Sequence, residues 1–356
     1  MEIAVLGGGN GSLAAAVDLT EQGHAVRLWR RDPAVAAATP NPLTLKDHAG
    51  ARPVEIALVT SDLAAAIDGA PLIVIPTPAT AQGSIAAALA PHLAEGQVVF
   101  QPPGTFGSYV FARAMREAGN AARVAFAETG TLPWLTRKHG EDAIAITTRA
   151  SRLPTGVFPL TEKDRALAVI REAFPSVEDC GDALSGALMN AGPIIHPPLI
   201  LMNAGPIQHF DHWDIHNEGT QPAIRAVTTD LDAERMATRE ALGYGGPHFP
   251  LADHYHTDQW MYGNLAHDKL TDSGDWRERL ILTEHRYMME DVAMGLAFLV
   301  SVADWAGVPA PVARGLLALG SAVCGENFRE TGRTLETLGL ASLSKDEMAA
   351  MLRDGP

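Results

Sequence analysis

The sequence has few cysteines, few lysines and a deficit of positive charge. Two cysteines among 356 residues cannot build a disulfide framework or a four-thiolate zinc site. Lys and Arg number 27 against 42 Asp and Glu, and the net charge of −15 disfavours binding to a phosphate backbone. No apolar run reaches the roughly 18 residues of a membrane span, and the first residues lack a basic signal region. We therefore expect a cytoplasmic protein without nucleic-acid or membrane partners.

The first half of the chain alternates short apolar runs with helical patterns. The apolar share of 47% is typical of globular proteins, and the length predicts two domains. Alternation of this kind predicts an α/β domain with a parallel sheet and helices on both faces. The predicted strands are 2–6, 25–29, 72–75, 97–101 and 123–127, and the predicted helices between them are 12–22, 61–68 and 84–93.

The pattern changes near residue 180, after which convincing strands are few. The strongest helix candidate is 284–306, which Gly307 and Pro309 end, and two further helices are predicted at 311–323 and 344–353. We expect two domains, an α/β domain over 1–180 and an all-helical substrate domain over 181–356.

The first strand runs into a glycine-rich turn that opens the first helix. Gly7, Gly9 and Ser12 occupy the three positions of a G-x-G-x-x-G fingerprint, with Ser12 as a small substitute for the third glycine. Gly7 permits a tight turn, and Gly9 lets a pyrophosphate approach the helix N-terminus formed with Asn10 and Gly11. This context indicates a Rossmann-type dinucleotide site; the alternative is a glycine-rich turn that binds nothing.

The end of the second strand bears on the choice of dinucleotide. A carboxylate usually stands there to hold the adenosine ribose, but this sequence has Arg30 followed by Arg31 and Asp32. A guanidinium pairs with a 2′-phosphate that a carboxylate would repel. The pattern favours NADP(H) over NAD(H). In the alternative, the two arginines are surface charges and Asp32 holds the ribose.

His196 is the best acid–base candidate from the residues alone. The five lysines do not occur in an apolar, glycine-flanked helix of the second domain. His196 lies in an apolar stretch and precedes Pro197, which predicts a helix end or break at that point. Imidazole titrates near neutral pH and suits proton transfer. A lone histidine in such surroundings is otherwise a satisfied core residue.

Four segments spread in order along nearly the whole chain carry a resemblance to a known family. They are 7–11 (GGGNG), 190–203 around His196, 286–292 (RYMMEDV) and 327–340. They resemble the opine dehydrogenase family, which includes octopine, nopaline and N-(carboxyethyl)amino-acid dehydrogenases. The resemblance implies an oxidoreductase acting on CH–NH bonds, in which an amino acid or amine and a 2-oxo acid, pyruvate by analogy, form an imine that NAD(P)H reduces. It is also compatible with a homodimer.

The resemblance also implies a catalytic set of His196, Asp291 and Arg286. Asp291 would orient the His196 imidazole, which acts as general acid and base. Arg286 would clamp the oxo-acid carboxylate through two parallel hydrogen bonds. Arg286 and Asp291 are five residues apart and are not neighbours on an ideal α-helix. They face one cleft only if the helix starts near Arg286; the alternative is a structural ion pair.

Further residues are expected to contact substrate. Glu128, after the predicted strand 123–127, resembles the family's contact for the amine; the alternative is a solvated loop charge. Some relatives have an asparagine four residues before the histidine, where this chain has Gly192, so Asn190 and Asn203 are candidate substitutes. Trp260 is expected to shape the pocket.

The histidines at 209, 212, 216, 248, 254 and 256 raise the question of a metal. They lack a tight ligand pattern and the expected chemistry needs none, so no metal site is predicted. Two other functions remain open. One is a 2-oxo acid or cyclic imine reductase on the same scaffold, and the other is a non-catalytic NADP-sensing protein.

Overall fold

A computed structural model describes residues 1–263 and 266–355. The chain forms two compact units. The first contains residues 1–77 and 81–187 together with the C-terminal residues from Ala350 onward. The second contains residues 78–80 and 188–349.

The first unit carries the strands. Their bounds are β1 Glu2–Leu6, β2 Ala25–Trp29, β3 Leu43–Asp47, β4 Gly50–Val54, β5 Leu58–Thr60, β6 Leu72–Val74, β7 Val98–Gln101, β8 Ala125–Thr129, β9 Trp134–Lys138, β10 Ala143–Arg149, β11 Leu153–Phe158 and β12 Val177–Asp182.

Eight strands form the main sheet, in the order β12-β11-β8-β7-β6-β1-β2-β5. Neighbours are parallel except for β8 and β11, which pair antiparallel. The central strands are buried on both faces, which explains why β1 and β7 are continuous apolar runs rather than alternating ones. The predicted parallel sheet is confirmed. A second sheet of four strands, in the order β4-β3-β10-β9, was not predicted.

The helices of the first unit lie between the strands, and those of the second follow in succession. Their bounds are α1 Asn10–Glu21, α2 Pro33–Ala38, α3 Leu63–Ile67, α4 Ala79–Leu89, α5 Gly107–Glu117, α6 Lys163–Ala173, α7 Ala183–Ala187, α8 Gly192–Met202, α9 Ala204–His209, α10 Pro222–Ala241, α11 Asp253–His256, α12 Ala266–Ser273, α13 Ala297–Ala306, α14 Pro311–Cys324, α15 Phe328–Thr331 and α16 Lys345–Asp354, with short 3₁₀ turns at Ala90–His92 and Leu160–Glu162.

The long helix predicted at 284–306 begins as a π-helix over Tyr287–Leu296 and continues as α13. It ends at Gly307, whose φ of +76° is the left-handed conformation that closes many helices. α8 packs along the π-helix, and α13 and α14 also contact it. The helical character of the second unit is confirmed. Among the described residues, none of the helices combines the length and apolarity that crossing a membrane requires.

The prediction of a helix end or break at His196 is wrong. His196 lies inside α8, which continues through Pro197 and Pro198. Proline disfavours a helix locally, but this helix is apolar and largely buried against its neighbours, so tertiary packing outweighs the local preference. Helix α4 also begins earlier than predicted, at Ala79 instead of residue 84.

Candidate active site

The turn between β1 and α1 is shaped by glycines at close quarters. Gly7 has a φ of +125°, and a Cβ there would lie 2.5 Å from Ser12 Oγ and 2.8 Å from Thr77 Cγ2. Only glycine accommodates both the conformation and the contact. Ser12 itself is buried, and its hydroxyl donates to Leu6 O at 3.4 Å. The serine in the third fingerprint position therefore helps to close the turn.

Gly9 and Gly11 have different roles at the start of α1. In the described chain, no heavy atom lies within 4 Å of a Cβ built on Gly9, so the backbone there is open to a ligand. No described side chain caps α1, which leaves its first N–H groups available to an anion. At Gly11 a Cβ would lie 2.9 Å from Leu132 and 3.1 Å from Pro76. Gly11 thus supplies the close packing expected of the third glycine.

Asn10, the first residue of α1, ties the turn to the second sheet. Its Oδ1 accepts a hydrogen bond from the Lys138 backbone N–H at 2.9 Å. The side chain supports the helix start from outside, and the N–H groups of the first turn stay available.

Arg30 lies directly over the glycine turn. A Cβ on Gly8 would overlap its guanidinium, and its Nη1 donates to Thr39 Oγ1 at 3.3 Å. Partial burial lowers the pKa of Arg30, but a guanidinium stays charged at any physiological pH. Arg31 is exposed and donates to Ser84 Oγ at 3.0 Å. The turn offers backbone N–H groups, and Arg30 offers a positive charge, to a bound dinucleotide.

Asp32, the alternative ribose ligand, serves as the N-cap of α2. Its Oδ1 accepts from Ala34 N at 2.8 Å and from Val35 N at 3.3 Å. This is the standard use of an aspartate at a helix start. The position that usually carries the ribose carboxylate therefore presents Arg30.

Glu128 lies neither after its strand nor in a solvated loop, the two positions considered from the sequence. It lies within β8 rather than after it, and it is fully buried rather than solvated. Its Oε2 accepts from Gly107 N, the first residue of α5, at 3.2 Å. A Cβ on Gly104 would overlap the carboxylate, so the Gly104–Gly107 turn lies directly on Glu128.

In the helical unit, His196 and Asp291 form a direct pair. His196 Nδ1 lies 2.7 Å from Asp291 Oδ2, and both side chains are nearly buried. A Cβ on Gly192, one turn before His196, would overlap Asp291 Oδ1. The glycine at the position where some relatives have asparagine therefore makes room for this carboxylate. Asn190 lies beside it, with its Oδ1 accepting from Gly192 N at 3.0 Å.

The π-helix accounts for the five-residue spacing of Arg286 and Asp291. Its hydrogen bonds run from i to i+5, so residues five apart lie near each other on one side. Burial raises the pKa of Asp291 to about 7, while the positive charges of Arg286 and His285 act in the opposite direction. The half-exposed Arg286 also lies 3.7 Å from Glu290 Oε2, so its guanidinium is both paired and accessible.

Glu290 is a buried acid that the prediction did not include. Its Oε1 accepts from Ala79 N at 3.0 Å, and Arg333 Nη2 donates to Ala79 O at 3.1 Å. Burial, followed by the negative charge of Asp291, raises the pKa of Glu290 to about 7. The only sequence signal was its place beside Asp291 in the segment 286–292.

Tyr287 and His216 were also missed. The Tyr287 ring stacks on the His196 imidazole with centroids 3.8 Å apart and planes 14° apart. His216 Nε2 lies 3.2 Å from the Tyr287 hydroxyl. Tyr287 belongs to the segment 286–292, whereas His216 had only its membership of a histidine-rich region.

Two predicted substrate contacts have structural roles instead. The Asn203 amide donates to Leu199 O at 2.8 Å and to Gly219 O at 3.1 Å, and its Oδ1 accepts from Trp213 at 2.9 Å. Both of its donors are therefore committed to the fold. Trp260 is buried and donates to Phe249 O at 3.2 Å.

Over the residues that the structure describes, no three His, Cys, Asp or Glu side chains are grouped to hold a metal ion.

Comparison with known proteins matches two parts of the chain to two different family models. Residues 179–324 match the family model for the NAD/NADP octopine/nopaline dehydrogenase alpha-helical domain. Residues 2–101 match the model for the NAD-dependent glycerol-3-phosphate dehydrogenase N-terminus. The opine dehydrogenase of Arthrobacter sp. (strain 1C) is 28% identical over 346 residues, 96% of each chain. Over nearly its whole length the chain is similar to an opine dehydrogenase. These comparisons indicate an NAD(P)-dependent oxidoreductase that acts on CH–NH bonds.

Solved structures share the fold of this chain. Octopine dehydrogenase with NADH and L-arginine superposes with a TM-score of 0.72 at 18% identity, covering 100% of this chain and 98% of that one. The same enzyme with NADH and pyruvate gives a TM-score of 0.66 at 20% identity, covering 91% and 89%. The two-part architecture is therefore that of octopine dehydrogenase.

Proposed function

We propose that this chain catalyses the NAD(P)H-dependent reductive condensation of an amino acid or amine with a 2-oxo acid, giving a secondary amine dicarboxylate. The observation that carries the proposal is the His196–Asp291 pair, a buried imidazole oriented by a carboxylate in a domain of this family. Octopine dehydrogenase has been solved with pyruvate and with L-arginine, which supports pyruvate as the oxo acid. The amine is left to experiment.

His196 is the proposed general acid and base. Its Nδ1 is bound to Asp291, so Nε2 is the nitrogen that meets the substrate. Amine and oxo acid condense to an imine with loss of water, and bound NAD(P)H supplies the hydride that reduces the imine carbon. A proton must reach the imine nitrogen, and the His196 imidazolium can deliver it. Asp291 stabilises that charged imidazolium and fixes the ring.

Arg286 is the proposed clamp for the oxo-acid carboxylate. Its guanidinium is half exposed and lies beside the π-helix that carries Asp291. A planar guanidinium can bind a carboxylate through two parallel hydrogen bonds. The Glu290 carboxylate, at 3.7 Å, holds the arginine in place before substrate binds.

The amine subsite is proposed at the carboxyl ends of β7 and β8, where ligands of parallel sheets usually bind. Glu128 lies there beneath the Gly104–Gly107 turn. Because Glu128 is buried, we expect it to act on the amine through the backbone of this turn. Asn190 is a separate candidate for substrate contact within the helical unit. We assign residues 1–180 to the dinucleotide and 181–356 to the substrates.

NADP(H) is the proposed preferred dinucleotide. The guanidinium of Arg30 lies over Gly8, and Asp32 is occupied as a helix cap. A 2′-phosphate in this position would meet a positive charge and no competing carboxylate.

The test is NADPH oxidation by the purified protein with pyruvate alone, with a cyclic imine alone, with a panel of amino acids and amines alone, and with pyruvate and the panel together. Amine-dependent turnover that yields a secondary amine, identified by mass spectrometry, supports the proposal. Turnover with pyruvate alone would make the chain an oxo-acid reductase, and turnover with a cyclic imine alone would make it a cyclic imine reductase. Tight NADPH binding without any turnover would make it a dinucleotide sensor.

A further inference from the structure

Tyr287 forms one wall around the His196 imidazole. It is the first residue of the π-helix and only 2% exposed. Its ring is nearly parallel to the imidazole, with centroids 3.8 Å apart. The two rings therefore overlap face to face inside the helical unit.

The Tyr287 ring is itself held from its far end. His216 Nε2 lies 3.2 Å from the hydroxyl. The backbone N–H of His216 donates to Asp214 Oδ1 at 2.9 Å, which fixes the loop that carries this histidine. His216 also meets the His196 ring edge-on, with centroids 5.8 Å apart and planes at 82°.

We propose that Tyr287 is a positioning residue for the reaction: its ring face sets the plane of the His196 imidazole and stabilises the imidazolium form. This inference rests on the proposed role of His196 as general acid. The hydrogen bond between Nδ1 and Asp291 fixes the direction of the ring but by itself allows the ring to turn about that bond. The stack removes this freedom, so that Nε2 keeps one direction. An aromatic face also attracts a cation that lies over it.

Other charged and titratable groups surround the stacked pair. Asp291 and Glu290 lie on the π-helix, and Arg286 and His285 directly precede it. Arg286 Cζ lies 5.1 Å from the centre of the Tyr287 ring, and the His285 ring meets Tyr287 edge-on at 4.4 Å. His216 and Asp214 complete the set from their loop. Three of the six, Arg286, His285 and His216, contact Tyr287 directly.

The experiment compares Tyr287→Phe with Tyr287→Leu in steady-state kinetics of imine reduction. Phe keeps the ring and should keep kcat within about three-fold, whereas Leu should lower kcat by about ten-fold or more. KM for the amine and Kd for NADPH should hardly change. The basic limb of the kcat profile should move to lower pH in the Leu variant, because the charged imidazole loses the support of the ring. Tyr255→Leu removes a tyrosine that packs on Arg225 elsewhere in the unit and serves as control.

A second series keeps the shape of the ring. Phenylalanines carrying one to three fluorines at position 287 pack like Phe but have a progressively weaker π-face, so kcat should fall with each fluorine. If the Leu variant fails to fold, this series still tests whether the ring face of Tyr287 supports the reaction. Unchanged kcat across it, or Phe as poor as Leu, would overturn the inference. His196→Ala separates the two proposals: if it abolishes turnover while position 287 has no effect, only the role of Tyr287 is wrong, and if it keeps turnover, the proposed acid is wrong.

Discussion

His196 and Asp291 are 95 residues apart in sequence, yet His196 Nδ1 lies 2.7 Å from Asp291 Oδ2. α8 carries the histidine and the π-helix carries the aspartate, and these two helices pack along each other. The pair is therefore a property of the folded helical unit. The proposed function assigns the other ring nitrogen, Nε2, to the substrate.

The first prediction concerns His196. His196→Ala should lower kcat by about 10²–10⁴-fold, the usual contribution of a positioned general acid. Kd for NADPH, measured by fluorescence titration, should hardly change because the nucleotide turn lies in the other unit. His212→Ala replaces an exposed histidine and should behave as wild type. A His196→Ala variant that keeps most of its turnover would make His196 a core histidine.

The second prediction concerns Gly192. A Cβ at this position overlaps Asp291 Oδ1, so Gly192→Ala should push the carboxylate away from His196. We expect kcat to fall by about ten-fold or more and the free energy of unfolding to drop by about 1–3 kcal/mol, as in other overpacked sites. Gly205→Ala is the matched control, since within the described residues nothing lies within 4 Å of its Cβ. Equal activity of the two variants would show that the carboxylate has room to move.

The sequence was sufficient for the features that depend on local pattern. Buried parallel strands are apolar throughout, and the glycine turn has fixed spacing, so β1, Gly7 and Gly9 were predictable. The pairing of β3 with β10, which joins the β3–β4 hairpin to β9 and β10 in a second sheet, depends on contacts between distant segments. Short strands of mixed composition, such as Leu43–Asp47, carry too weak a pattern to show this.

The site was predictable only through the resemblance. The residues alone singled out His196 but predicted a helix break there from Pro197. That prediction was wrong because packing of α8 outweighs the local effect of the proline. The π-helix that brings Arg286 near Asp291 has no pattern that distinguishes it from an α-helix in sequence. Tyr287 and His216 join the site through a ring stack and a hydrogen bond across 71 residues, which no spacing rule detects.

The third prediction concerns the cofactor. NADPH should bind about ten- to a hundred-fold more tightly than NADH, since a charge-assisted contact contributes roughly 1.5–3 kcal/mol. Arg30→Asp should move this preference toward NADH, because a carboxylate there repels the 2′-phosphate and can accept from the ribose hydroxyls. Both dissociation constants are measured for each variant. Arg116→Asp makes the same charge change at an exposed site and should leave the ratio unaltered. Equal constants in the wild type would contradict the role of Arg30.

The fourth prediction concerns Arg286. Lysine keeps the charge without the planar fork, so Arg286→Lys should raise KM for the oxo acid and Arg286→Ala should raise it further. The loss in kcat/KM for the Ala variant should be about 2–4 kcal/mol. KM for the amine should move less. Arg277→Ala removes another half-exposed, ion-paired arginine of the same unit and controls for charge. A rise confined to the amine KM would reverse the two subsites, and a lower melting temperature with unchanged kinetics would make Arg286 structural.

The last prediction concerns Glu290 and the pH dependence of stability. Its pKa is raised from 4.5 to about 7 by burial and by Asp291, so between these values the folded protein binds more protons than the unfolded chain. Stability from this group is then greatest below about pH 4.5 and is lost as the pH rises to about 7. Glu290→Gln cannot titrate and keeps an oxygen that can accept from Ala79 N. The free energy of unfolding of the variant, relative to wild type, should therefore rise by about 1–3 kcal/mol across this window and stay level above it.

Urea unfolding at a series of pH values measures the difference, with the exposed Glu336→Gln as control. A difference that is constant with pH, or that falls across the window, would show that Glu290 is already ionised at low pH through its contact with Arg286.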